Sequence, residues 1–288
     1  MVQNSDKIVP VTVVHLIWMP YGTVLFEKFI TSYCERKAGY AHQIVLLFNG
    51  VQNEQDLAPY LAIANANKIT YSTLIHYGAC QDIDAYFWAA RQLNTDYILF
   101  LNSYSELQAD NWLALYAEKM QAEKAGIIGA TGSWQSYSSS VFINNSWKWE
   151  RNKPFQENFS KFKLLLKALF YWSFLFPSFP NPHIRTNAFM LKKALLLSCK
   201  KGNLKNKFNA YLFESGRNSL TRQVNKKGLK VLLIDKMGNC YEKEEWINSS
   251  TFWMHSQQNL LVADNQTRLY SDGSDAQKKK LTYLAWGK

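Results

Sequence analysis

The stretch VTVVHLIWMPYGTVLFEKFITSYCER, residues 11–36, decides the fold. Val11–Trp18 is a β-branched apolar run short enough for one buried strand, a Pro-Tyr-Gly turn ends it, and Val24–Arg36 is amphipathic in the manner of a helix. Strand, turn and helix in this order open a mostly parallel sheet covered by helices. The alternation continues through the first 135 residues. QIVLLFNG (43–50) reads as a second strand, a helical stretch surrounds Asp56–Asn65, and KITYSTLIHYG (68–78) reads as a third strand. ACQDIDAYFWAARQL (79–93) follows as a helix whose first turn holds Asp82 and Asp84, where the helix dipole favours negative charge. DYILFLNS (96–103) is a fourth strand ending in the polar cluster Asn102–Glu106; a helix from Asp110 to Lys124 and a fifth strand, IIGATGSW (127–134), come next.

In sheets of this kind ligands gather outside the carboxyl ends of the strands. Trp18–Gly22, Asn49, His76–Asp84, Asn102–Glu106 and Gly132–Trp134 are therefore expected around one crevice. Beyond Gln135 the regularity gives way to a Ser- and Asn-rich loop and then to SKFKLLLKALFYWSFLFPSFP (160–180). Lys163 and Lys167 interrupt this apolar run and Pro177 ends it, so it does not suit a bilayer crossing. It lies on something apolar, either the domain itself or, through residues 162–179 with their flanking lysines, a membrane surface. NAFMLKK (187–193), a Leu-rich helix, a basic loop near Lys200–Lys207, a helix from about Asn209 to Lys227 and the strand LKVLLID (229–235) complete the pattern. The last fifty residues show no periodicity.

The 288 residues, 47% hydrophobic and 15% aromatic, are enough for a substantial core. The start, MVQNSDKIVP, lacks a secretory signal, and the expectation is a cytoplasmic protein. Cys34, Cys80, Cys199 and Cys240 lack zinc-site spacing and read as structural thiols. The net charge of +11 is concentrated between Lys148 and Lys236, which places an anionic partner near the second half. No helix-turn-helix, zinc finger or RNP-like motif is present, so nucleic acid is not the expected partner, and no Gly-x-x-x-x-Gly-Lys loop supports a nucleotide hydrolase.

The most specific segments are HIRTNAFMLKK (183–193) and FESGRNSLTRQVNKKGLKVLLI (213–234). A strand ending in Lys192 and Lys193, a helix bearing Glu214, then Gly228 and a strand from Leu229 stand in an order that resembles the GT-A glycosyltransferases related to family two. More locally the chain resembles the rhamnan synthesis protein F group, over roughly Val11–Asp235. Asp82, Asp84 and Tyr86 behind His76-Tyr77-Gly78 are similar to that group's Gly-x-Asp-x-Gly-x-Tyr stretch, with Gln81 and Ala85 altering it. The resemblance implies a GT-A-like (Rossmann-like) α/β domain over residues 1–239, with 1–135 the nucleotide-sugar-binding half and 136–239 the acceptor-side half. An irregular C-terminal extension, 240–288, packs on it. It implies transfer of a sugar from a nucleotide-diphosphate sugar to a glycan or lipid-linked acceptor in surface polysaccharide synthesis, at the inner face of the plasma membrane. The other reading is a GT-A-like module without catalysis that serves as a scaffold in polysaccharide assembly.

Sugar transfer needs a base for the acceptor hydroxyl and a counter-charge for the departing diphosphate. The resemblance puts the base at Glu214, which gives a single displacement with inversion. GT-A enzymes usually end the fourth strand in Asp-x-Asp, which holds a divalent metal; here the chain reads LNSYSE (101–106). Glu106 and the amide oxygen of Asn102, with His255 as a loose match to a late histidine of some GT-A enzymes, make a thin set for Mn2+ or Mg2+. Metal-independent action is the alternative, with Arg185, Arg217 or Arg222 gripping phosphate. Arg217 ranks first because it follows Glu214 by three residues and would share its helix face. Asp82 and Asp84 either cap their helix or accept hydrogen bonds from the nucleotide, and Trp18 and Tyr21 either stack on the base or line the rim. Trp134, His183 and Arg185 are the acceptor-side candidates.

Overall fold

In a computed structural model of the protein, the structure describes residues 10–143 and 154–288. The start, on which the absence of a leader was read, and Lys148 lie outside the described residues. The strands are β1 (Val11–Trp18), β2 (Gln43–Val51), β3 (Tyr71–Tyr77), β4 (Tyr97–Leu101), β5 (Glu106–Leu107), β6 (Ala125–Gly129), β7 (Gly132–Ser133), β8 (His183–Ile184), β9 (Ala188–Lys192), β10 (Lys230–Ile234), β11 (Cys240–Tyr241) and β12 (Val262–Ala263). Eight of them form one sheet in the order β3-β2-β1-β4-β9-β6-β10-β11. Its neighbours pair in parallel except around β9, which runs against β4 and β6, and at the edge strand β11.

A strand buried on both faces needs an unbroken apolar run, and β1 supplies it. Val11, Val13 and Ile17 enter one core, with the helices α1 (Val24–Glu35), α2 (Ala58–Ala66) and α4 (Trp112–Ala122). Val14 and Leu16 enter the opposite core, with α3 (Asp82–Gln92) and the second half of the chain. The result is a mostly parallel sheet with helices on both faces, as the alternation of elements predicts.

Three elements differ from the sequence reading. The fifth strand stops at Gly129, and β7 leaves the main sheet to pair with β8. A Cβ at Gly129 would lie 2.6 Å from Ile184, so only glycine lets β8 come this close. The single helix expected over 209–227 is two, α9 (Lys207–Ser215) and α10 (Leu220–Lys226). They part at Gly216, where a Cβ would lie 2.5 Å from the Leu212 carbonyl oxygen, and Ser219 caps α10. The tail is irregular to Ala263 and then holds two helices, α11 (Asn265–Ser271), opened by an Asp264–Thr267 capping box, and α12 (Asp275–Trp286). Trp246, Phe252 and Trp286 put this tail inside the same core as α3 and β9. Before α9 come α5 (Tyr137–Ile143), α6 (Phe155–Leu166), a π-helical stretch (Lys167–Trp172), α7 (Ser173–Leu175) and, after β9, α8 (Lys193–Leu197). Among the described residues no helix is long and apolar enough to cross a membrane.

His15 is the exception inside β1. Its ring is buried and stacked on Phe29 at 3.6 Å, and among the described residues its Nδ1 has no hydrogen-bond partner. Burial holds its pKa down to about 3. Below about pH 6.5 the unfolded chain takes up a proton that the folded chain refuses, so stability drops as pH drops, by about 1.4 kcal/mol per pH unit down to the folded value. The His15→Phe variant should therefore gain on the wild type as pH falls from 6.5 to 4.5 in urea denaturation; parallel curves would show that His15 does not drive the acid limb.

Candidate active site

The strand tips meet in a cleft of about 460 Å³ lined by Trp18, Tyr21, Gln81, Asp82, Asn102, Tyr104, Lys207 and Asn265. The Trp18 N–H donates to Ser103 Oγ at 3.0 Å, which joins the ends of β1 and β4. Buried Asn49, at the end of β2, donates from Nδ2 to the Cys80 carbonyl at 2.8 Å and holds the loop before α3 across the cleft. The Tyr21 and Tyr104 rings lie 5.1 Å apart and form an aromatic rim. Asp82 opens on to the cleft, yet the protein packed around it desolvates the carboxylate and pushes its pKa up; its own backbone N–H opposes this, and the charge of Glu214 adds to it. Asp84 turns elsewhere, into an ion pair with Lys201.

A second cavity of about 350 Å³ is lined by Glu214, His183, Arg185, Tyr137, Tyr211, Phe252 and Gln266. Glu214 Oε1 accepts from the Thr186 N–H at 2.7 Å and from Thr186 Oγ1 at 3.0 Å. These bonds fix one carboxylate oxygen; among the described residues the other has no hydrogen-bond partner. The two cavities are neighbours, because Glu214 bears electrostatically on Asp82 and because Asn265 and Gln266 stand one in each. His183 is buried rather than solvated, and its ring Nδ1 lies 2.8 Å from the Asn181 carbonyl. With Nδ1–H donating there, Nε2 is left as an acceptor. Burial lowers the pKa of His183, with the Glu214 charge opposing. Arg185 is locked in place: Nη2 donates to buried Asp264 at 2.8 Å, Nη1 to Thr131 Oγ1 at 3.2 Å, and the guanidinium lies 4.2 Å over the Phe252 ring.

The remaining candidates lie elsewhere. Arg217 is not on the helix of Glu214, since α9 ends before it; its guanidinium donates to the Ser173 and Phe174 carbonyls at 2.8 and 3.0 Å. Trp134 and Arg222 line a separate hollow with Pro180 and Pro182, and the Trp134 indole donates to the Lys243 carbonyl at 3.0 Å. The proposed metal set is dispersed in use. Asn102 Oδ1 accepts from the Tyr104 N–H at 3.0 Å and from Ser105 Oγ at 3.1 Å, Glu106 pairs with Arg268 at 2.8 Å, and exposed His255 contacts Ser250 Oγ at 2.9 Å. A hard divalent ion needs several free oxygens, and among the described residues no three His, Cys, Asp or Glu side chains gather. These residues do not fit a bound divalent ion.

Tyr104 falls in the Asn102–Glu106 stretch expected at the crevice, whereas Lys207, Thr186 and Arg268 lie outside the candidates named from sequence. Lys207 was legible, because it precedes Glu214 by two helical turns. Arg268 carries no local signal, since its partner Glu106 is 162 residues away.

No protein-family model matches the chain, and no curated protein matches it in sequence. Among solved structures it is similar to S. aureus TarS 1–349 in complex with UDP-GlcNAc, at 11% identity over 42% of this chain and 33% of that one, with a TM-score of 0.34. It is also similar to the mannosyltransferase PcManGT from Pyrobaculum calidifontis with GDP-Man and Mn2+, at 12% identity over 97% and 70% of the two chains and a TM-score of 0.47. A third is glucosyl-3-phosphoglycerate synthase from Mycobacterium tuberculosis with Mn2+, UDP and glucosyl-3-phosphoglycerate, at 11% identity over 66% and 59%, with a TM-score of 0.39. The matched part thus spans about a third of the TarS chain. Overlap at this level carries no function.

The raised pKa of Asp82 bears on stability. An acid whose folded pKa lies above its unfolded value favours the folded state at low pH, and that contribution is lost as pH rises through the folded value. The Asp82→Asn variant should be modestly more stable than the wild type at pH 7 and indistinguishable from it near pH 3, measured as urea midpoints. A variant less stable at pH 7 would show that the carboxylate is structurally required.

Proposed function

We propose that the protein is a nucleotide-sugar-dependent glycosyltransferase of the GT-A class, in which the first cleft takes the donor and the second cavity takes the acceptor. The observation that supports it best is the placement of Glu214, carried on α9 and clamped by Thr186 where the two cavities adjoin. A clamped carboxylate whose other oxygen has no hydrogen-bond partner among the described residues is suited to act as a base on an acceptor hydroxyl. In the step proposed, the acceptor oxygen gives its proton to Glu214 and bonds to the anomeric carbon, while the bond from that carbon to the diphosphate breaks. A single displacement of this kind inverts the anomeric centre. Asp82 accepts hydrogen bonds from the nucleoside, the aromatic rim of Trp18, Tyr21 and Tyr104 meets the base, and Asn102 lies at the phosphate end. His183 Nε2 and Arg185 bind acceptor hydroxyls, and Tyr137, Tyr211 and Phe252 offer apolar faces to a sugar ring.

The acceptor is a glycan or a lipid-linked glycan of surface polysaccharide synthesis, reached at a membrane. On α6 and the turns after it, Phe155, Phe159, Phe162, Leu166, Leu169 and Phe170 recur at helical spacing and all face outward. Phe155 is 70% exposed, Phe170 66% and Phe174 76%, which is far more than scattered surface apolar residues require. Exposed Lys163 and Lys167 flank this stripe, a pattern suited to an anionic bilayer surface. Tyr137 lines the second cavity and packs on Trp172 and Phe176 at ring distances of 4.8 and 4.9 Å, so the acceptor cavity adjoins the stripe-bearing helix.

Glu214→Gln should lower turnover by about 100-fold or more, measured as nucleoside diphosphate release with a donor and acceptor panel, and should keep the nucleotide-induced rise in Tm. A wild type that binds nucleotide but turns over no donor would favour the scaffold reading. For the membrane contact, the Phe170→Asp/Phe174→Asp double variant should lose flotation with vesicles containing phosphatidylserine. Flotation unchanged in that variant, or absent from the wild type, would overturn that contact.

A further inference from the structure

We propose that Lys207 supplies the positive charge against which the donor diphosphate binds and departs, the task that a divalent metal performs in GT-A enzymes with an Asp-x-Asp element. This rests on the reading of the first cleft as the nucleotide-sugar site. Three observations carry it. At the metal position the oxygens are already in use: Asn102 Oδ1 receives two hydrogen bonds from its own turn, and Glu106 Oε1 receives Arg268 Nη1 at 2.8 Å. An ion entering there would have to displace a guanidinium and break the turn.

Lys207, in contrast, is the one cationic side chain among the described residues that lines the cleft. Among those residues it makes no ion pair, and its ammonium lies over a π face, 5.7 Å from the centre of the Tyr211 ring. The three arginines that sequence analysis favours are committed to Asp264, to the Ser173 and Phe174 carbonyls, and to Asn181.

The third observation is where the lysine stands. Lys207 is the first residue of α9, just after the capping residue Asn206, whose side chain accepts the Asn209 N–H. This is the positive end of the helix dipole, where a cation is unfavourable. At that end the ammonium is met by the Tyr211 ring and by the charge of Asp82, and a bound diphosphate would offset the conflict more fully. Seven residues on, two turns along the same helix face, α9 carries Glu214. One rigid helix therefore carries cation and base, with their Cα atoms about 10 Å apart along its axis from the 1.5 Å rise per residue. When the bond from the anomeric carbon to the diphosphate breaks, the electron pair goes to the diphosphate oxygen. Lys207 meets that added charge while Glu214 holds the acceptor proton.

The test is calorimetric binding of UDP and GDP, with uridine and guanosine as phosphate-free controls, to the full chain in EDTA and in Mn2+. The wild type should bind a nucleoside diphosphate in EDTA. Lys207→Gln should weaken that binding at least tenfold and leave nucleoside binding unchanged, and Lys207→Arg should stay within a few-fold of the wild type. The exposed position of Lys207 lets each variant be checked for an unchanged Tm. If the wild type binds diphosphates only with Mn2+, or if Lys207→Gln binds them as tightly as the wild type does, the role of Lys207 is wrong and the donor-site reading stands. If no nucleotide binds under either condition, the donor-site reading itself fails.

Discussion

The Asn102 N–H donates to the Asn187 carbonyl at 2.8 Å, and the geometry of the site depends on this bond. It closes the pairing of β4 with β9, the strand that runs backwards within an otherwise parallel stretch of sheet. Because β9 is antiparallel, its first residues, not its last, lie at the carboxyl end of β4. The segment 183–187 is thereby delivered into the crevice, and with it the anchors for distant side chains. Thr186 holds Glu214, and Arg185 holds Asp264. A parallel strand in the same place would put its first residues at the opposite end of the sheet.

The crevice is electrostatically uneven in a way that the net charge of +11 does not suggest. The charge of Glu214 bears on Asp82, and Lys207 opposes it there in the first cleft. The Thr186 N–H and hydroxyl offset part of the repulsion, since hydrogen bonds to an ionised carboxylate contribute about 1.5–3 kcal/mol each. Beneath them the Tyr86 hydroxyl and Asn187 Nδ2 are buried without partners among the described residues, and Tyr86, like Asp82, is raised in pKa by burial and then by its acidic neighbours. Unsatisfied polar groups thus lie close to two acids in this part of the core. Such groups are tolerated where binding or chemistry requires them.

The first half of the fold was legible because its forces are local. β1, β2 and β4 are apolar runs bounded by polar turns, and each forms within a few residues of where it was read. Asp82, Asn102 and Trp18 followed from strand order alone, since every parallel strand tip must face the same edge. The second half was less legible because contacts over long range decide it. Gly129 ends a strand because Ile184 arrives from far along the chain, whereas α9 ends locally at Gly216, whose N–H still bonds the Leu212 carbonyl while its own backbone turns extended. Arg217 was misjudged for that reason: three residues is a helix-face relation only when the helix continues. Trp134 and Arg222 belong to a neighbouring hollow, which strand order does not distinguish from the crevice.

The tail shows how such distant contacts shape the site. Asp264 both caps α11 and holds Arg185, and Arg268, one turn further along, pairs with Glu106 and donates to the Tyr104 carbonyl at 3.2 Å. One short helix therefore grips both walls, the turn after β4 on the side of the first cleft and Arg185 on the side of the second cavity. Asn265 and Gln266 lie between these anchors and line one cavity each. The buried partner Asp264 makes the Arg185 pair hard to break, because removing either charge strands the other away from water. The pair of Glu106 with Arg268 is more open and correspondingly weaker. Relative motion of the two cavities is thus resisted most strongly at the wall of the second cavity, and the wall of the first cleft is the one that α11 leaves freer to adjust.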